Sequence, residues 1–119
     1  MYFCDVYNKN KVMSHSQSFI LKKIKGAATE VMPKGTEVIL FGSQARGDAR
    51  ADSDWDVLIL LDKEKLEPAD YDNYSYPLYA LGWEIDAQIH PIMYTRSEWE
   101  RRSYSPLFQN IAKEGITLC

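Results

Sequence analysis

The chain has only two cysteines, Cys4 and Cys119, one near each end of its 119 residues. Thiols so far apart make neither a disulfide framework nor a metal knuckle, and they point to a reducing compartment. Long apolar runs are missing too, since nothing approaches the roughly 20 residues that a membrane-spanning helix needs. The first eleven residues, MYFCDVYNKNK, lack the apolar core of a signal peptide. A cytoplasmic protein away from the membrane is therefore expected. Positive charge is in deficit, with 14 Lys and Arg against 17 Asp and Glu and a net charge of −3. That balance disfavours non-specific binding to nucleic acid, which needs a basic face to displace counterions. Repeats and low-complexity segments are also lacking.

What is there is 45% hydrophobic content, enough for a single domain over residues 1–119 with one core, its first segment, 1–13, expected to be flexible. Between Ser14 and Met32, Phe19, Ile20, Ile24, Ala27, Ala28 and Val31 recur at helical spacing, and Ser14 or Ser16 can cap the start. Pro33 and Gly35 stop this helix, and Lys22, Lys23 and Lys25 fall mostly on its wet side. Thr36–Phe41 and Trp55–Leu61 read as strands, the second almost continuously apolar, as a strand covered on both faces would be. After the charged connection Lys63–Pro68, Tyr71, Tyr74, Leu78 and Leu81 share a helical stripe that Pro77 interrupts or kinks. Trp83–Ile92 alternates, with Trp83, Ile85, Ala87 and Ile89 on one face and Glu84, Asp86, Gln88 and His90 on the other, which is a strand signal. His90, one step from Pro91, reads as the end of that strand, and His15 as a surface residue. Ser97–Glu100 reads as a capped helix start, and Pro106–Glu114 as a helix closed by Gly115. The sum is an α/β (α+β) fold: a small mixed sheet of three or four strands, helices against one face and the site on the exposed face.

Chemistry concentrates in Gly42–Asp56, GSQARGDARADSDWD, between the apolar runs Val38–Phe41 and Val57–Leu61. Asp54 and Asp56 stand one residue apart at the entrance to a strand, so both carboxylates project the same way, with Cα atoms about 6–7 Å apart. Aligned carboxylates hold divalent cations, and Mg²⁺ keeps positions open for phosphates and water. Trp55, between them, is expected in the core. Upstream, Gly42-Ser43 ends a strand in a tight turn where the backbone can approach a ligand closely. Amides at the helix start, the serine hydroxyl and the charge of Arg46 are suited to a nucleotide's phosphates.

Ten residues separate Ser43 from Asp54, giving G-S, ten residues, D-x-D, with A-R-G-x-A at Ala45–Ala49. In this the chain resembles the minimal nucleotidyltransferases (MNT) of the DNA polymerase β superfamily, strongly in Gly42–Asp56 and weakly from about residue 17 to the ending N-I-A-K-E-G-I-T-L. The resemblance implies a polymerase β-like nucleotidyltransferase fold and a third catalytic carboxylate on the strand after D-x-D, which it places at Asp86, with Glu84 as competitor on the same face. It implies two Mg²⁺ ions at Asp54, Asp56 and Asp86, ATP held by Gly42, Ser43 and Arg46, and transfer of AMP to a hydroxyl with release of pyrophosphate. It further suggests the antitoxin of an MNT/HEPN toxin–antitoxin pair, adenylylating a tyrosine of its HEPN partner. Two alternatives stand beside this: a small-molecule adenylyltransferase like those acting on aminoglycosides, and a non-catalytic nucleotide-binding antitoxin or regulatory module.

Overall fold

In the computed structural model, residues 15–50 and 52–119 are described. The lead-in 1–13 and the cap Ser14 lie outside them, as does the side chain of His15. The first helix, α1 (His15–Val31), buries Leu21, Ile24 and Ala28, one helical stripe three and four residues apart. Phe19, assigned to that stripe, is instead 47% exposed, with the Lys23 ammonium 5.5 Å over its ring. Strand β1 (Glu37–Phe41) leads into a single turn, α2 (Ser43–Arg46), and then β2 (Trp55–Leu61).

The tyrosine-rich stretch forms α3 (Pro68–Asp70), a π-helical turn (Tyr71–Ser75) and α4 (Tyr76–Ile85). Proline has no N–H to donate and its ring crowds the preceding turn. The wide turn just before Pro77 lets the helix continue around that defect. Leu78 is fully buried and Tyr74 and Leu81 pack around it, but Tyr71 falls off the stripe and is about half exposed. β3 (Ile89–Thr95), α5 (Arg96–Glu100), α6 (Pro106–Glu114) and the two-residue β4 (Ile116–Thr117) complete the chain.

One expected element is absent. Trp83, Glu84 and Ile85 belong to α4, and Asp86 caps its end in the left-handed conformation at φ 58°. The helical stripe Leu78, Leu81, Gly82, Ile85 overlaps the alternating pattern and wins, so the strand begins only at Ile89. Gly82 suits this packing because a Cβ there would stand 2.6 Å from the Ala87 carbonyl oxygen. Nor does Pro91 end the strand: β3 continues to Thr95 because it is an edge, where one side of the ladder needs no donor. The cap of α5 is likewise not Ser97. Thr95 accepts from the Glu98 N–H while the Glu98 carboxylate accepts from the Thr95 N–H.

The sheet is small and mixed, in the order β3-β2-β1-β4. β1 runs antiparallel to β2 and β4, and β2 runs parallel to β3. Trp55, Val57, Ile59 and Leu61 point to one side, where α1 and α4 cover them together with Val38, Leu40, Ile89 and Met93. Trp55 is 2% exposed, in the core as its place between two aspartates requires. The other side is not bare, contrary to expectation. Leu58 and Leu60 pack there with Trp99 of α5 and Phe108 and Ile111 of α6. That second layer covers only the far half of the face, and the half at the start of β2 is where Asp54, Asp56 and His90 project. Truncating Ile59, at the middle of the buried strand, to alanine costs about 2–5 kcal/mol.

Candidate active site

Phe41 at the end of β1 pairs with Asp56 at the start of β2, so the Gly42 turn is carried directly onto that carboxylate. Gly42 adopts φ 80° and ψ −161°, a region only glycine tolerates, and a Cβ added there would collide with Asp56 Oδ2. Its carbonyl accepts from the Ala45 and Arg46 amides at 3.0 Å each, closing the one turn of α2, which Gly47 ends at φ 88°. Ser43, Arg50, Ser53, Asp54 and Asp56 line a cleft of about 310 Å³. The G-S turn and the D-x-D pair are thus brought together as the motif's spacing predicts.

The electrostatics follow from this crowding. Partial burial, and then the charge of Asp54, push the Asp56 carboxyl above its usual range, with His90 and Arg46 pulling weakly the other way. Arg46 is not directed at the cleft's carboxylates. Its guanidinium reaches Asp48 at 3.2 Å and Glu114 at 3.2 Å, and the same Glu114 carboxylate accepts the Gly42 N–H at 3.1 Å. Those contacts hold the Arg46 pKa up. Glu114 is a residue the sequence reasoning missed, and only its place at the end of α6, beside the closing glycine, could have signalled it. The Gly115 turn packs so closely on β1 that a Cβ would lie 2.8 Å from Ile39 Cγ2.

Asp86 does not join the pair. It lines a neighbouring hollow with Ile20, Asp52, Ser53 and Trp55, whereas the β2–β3 register sets His90 opposite Asp56. His90 Nε2 stands 3.7 Å from Asp54 Oδ2. Glu84 is exposed on α4 and is no competitor. Among the described residues no three ligating side chains already converge as a metal site. Two aligned carboxylates are nevertheless the donor set that Mg²⁺ takes when phosphates and water supply the rest, and the charge crowding at Asp56 is what a cation would relieve.

A family model for the nucleotidyltransferase domain matches residues 21–119. The chain belongs to the nucleotidyltransferase domain family. No curated protein matches it. Among solved structures, a toxin–antitoxin complex with AMP-PNP is 22% identical with a TM-score of 0.58, over 83% of this chain and 72% of that one. An MntA–HpeT toxin–antitoxin complex is 22% identical with a TM-score of 0.55, over 82% and 70%. A tri-AMPylated Shewanella oneidensis HEPN toxin in complex with MNT antitoxin gives 20% identity and a TM-score of 0.55, over 87% and 71%. This nucleotidyltransferase therefore has the minimal polymerase β-like fold seen in those complexes. Among the described residues no helix is long and apolar enough to cross a membrane.

Proposed function

We propose that this nucleotidyltransferase moves AMP from ATP to a protein hydroxyl, a tyrosine of a HEPN-type partner, with Mg²⁺ held by Asp54 and Asp56. The observation that carries the reading is the cleft in which Ser43 meets both carboxylates. The acceptor oxygen attacks the α-phosphorus, the bond to the bridging oxygen breaks, pyrophosphate leaves and the hydroxyl proton passes to solvent at the open cleft. Asp54 and Asp56 would hold the cations, which would supply positive charge against that developing on the phosphoryl group. Gly42 lets the turn lie against Asp56, and the Ser43 hydroxyl faces the triphosphate. Arg46 acts by holding that turn through Glu114, and Asp86 takes no direct part.

A protein acceptor is supported by size. A cleft of about 310 Å³ is at the lower end of small-molecule sites, small for a nucleotide and a small-molecule acceptor together. An exposed aromatic face on α4, where Trp83 is 69% exposed and Tyr76 meets it edge-on at 5.8 Å, offers a surface for a partner. The solved toxin–antitoxin complexes of the same fold point the same way. Incubating the protein with α-labelled ATP, Mg²⁺ and the product of the neighbouring gene should label that product, and Asp54→Ala with Asp56→Ala should abolish labelling while the protein stays folded. Label appearing on an aminoglycoside-like small molecule, or nucleotide binding with no transfer to any acceptor, would replace this reading with one of the two alternatives.

A further inference from the structure

We infer that His90 is the third protein ligand of the cation held by Asp54 and Asp56, and that its nitrogen turns the site from Mg²⁺ toward first-row ions such as Mn²⁺. The inference rests on the metal reading above and adds a residue to it. Three observations carry it. The parallel register sets His90 directly across from Asp56, so the two side chains leave the sheet on the same side. The imidazole is half exposed, as is Asp54, so both are open to an ion arriving from solvent. Nε2 already stands 3.7 Å from Asp54 Oδ2.

That distance is diagnostic. Adjacent ligands of an octahedral ion with bonds near 2.1 Å lie about 3.0 Å apart, so a side-chain adjustment of under about 1 Å closes the gap. A hydrogen-bonded His–Asp pair would be tighter, at about 2.7–2.9 Å, and would point the nitrogen at the oxygen rather than leave space between them. Of the other carboxylates nearby, Asp52 also lines the cleft but sits exposed in the turn before β2, and Asp86 is fixed in the left-handed cap of α4, four residues upstream of His90, facing a different hollow.

The chemical consequence is selectivity. Mg²⁺ keeps to oxygen ligands, whereas imidazole is a good ligand for divalent first-row metals, whose affinity for nitrogen exceeds that of Mg²⁺. A site with two carboxylates and one imidazole should therefore bind Mn²⁺ more tightly than Mg²⁺, and replacing the imidazole by a carboxylate should narrow the difference.

The test uses Mn²⁺ alone with the purified chain, free of nucleotide. Pulsed EPR of bound Mn²⁺ should show a directly coordinated imidazole nitrogen, identified by the change of coupling when the histidines carry ¹⁵N. His90→Ala should remove that coupling and weaken Mn²⁺ at least about tenfold, and His90→Asp should lose the coupling but recover Mg²⁺ binding. Mn²⁺ bound through Asp54 and Asp56 with no nitrogen coupling, at an affinity unchanged in His90→Ala, would overturn the inference and leave the two-carboxylate reading standing. No Mn²⁺ binding to the parent chain would likewise overturn the inference, and binding that survives Asp54→Asn with Asp56→Asn would overturn the metal reading itself. Because the nitrogen signal is read in the unaltered protein, instability of a His90 variant does not remove the test.

Discussion

Two residues set the site's character in opposite ways. Gly42 is there because of backbone geometry: its φ and ψ exclude any side chain, and the space a Cβ needs is filled by the Asp56 carboxylate. Gly42→Ala should lower stability by about 1–3 kcal/mol and reduce transfer by orders of magnitude, because the turn and the carboxylate would be forced apart. Thermal melts and the labelling assay read the two effects, and a variant with normal activity would show that the turn's contact with Asp56 does not matter. Asp56 is there despite its cost to folding. Burial and the neighbouring Asp54 raise its pKa above the unfolded value, so the charged form opposes folding at any pH above the folded pKa, and the penalty vanishes once pH falls below the unfolded pKa. Asp56→Asn should consequently raise the melting temperature at pH 7 and give no gain near pH 3, while abolishing transfer. A lower melting temperature at pH 7 would mean that the carboxylate is structural.

Elements were legible where one periodicity held alone and obscure where two overlapped. β2 was readable to the residue because a strand buried on both sides has no other pattern it can follow, and α6 because Pro106 and Gly115 bracket it. Trp83–Asp86 was not readable, since alternation and the stripe Leu78–Ile85 both fit, and only packing against β3 decides between them. The motif Gly42–Asp56 gave the right neighbours in space because its ends are fixed by β1 and β2. The third position was not readable because the strand expected to carry it begins only at Ile89, which leaves Asp86 in the cap of α4 and sets His90 opposite Asp56. α3 carries its own test. Burial by itself would push the Asp70 carboxyl up, but the Lys63 ammonium at 2.9 Å and the Glu67 N–H outweigh it and hold the carboxyl below its usual range. A depressed carboxyl stabilises the fold above its unfolded pKa and loses that contribution as pH falls through the folded one. Asp70→Asn should therefore lower the melting temperature at neutral pH, with the gap closing below about pH 4. A gap of equal size at pH 2 would assign the loss to hydrogen bonding rather than to charge.

At the scale of the whole molecule, the end of the chain is tied to the catalytic turn. β4 pairs with β1, Leu118 is buried in the main cluster, and Glu114, 72 residues from Gly42, accepts its N–H while pairing with Arg46. α6 also packs on the second face of the sheet, so the turn is referenced to a rigid layer rather than left as a free loop. Two roles for Arg46 then make different predictions. If it acts by bracing the turn through Glu114, Arg46→Ala and Glu114→Ala should weaken ATP binding by similar factors, and the double variant should be no weaker than the worse single one, since residues in one network do not add. If instead Arg46 touches the phosphates directly, its loss should exceed that of Glu114 and the two should multiply. The salt dependence separates them further. A direct phosphate contact weakens steeply with ionic strength, whereas in the bracing arrangement salt screens only the exposed Arg46–Glu114 pair and leaves the hydrogen bond from the Gly42 amide in place. Calorimetric titration of the four proteins at low and high salt distinguishes these outcomes, and the geometry, with both Glu114 oxygens already engaged, predicts the non-additive one.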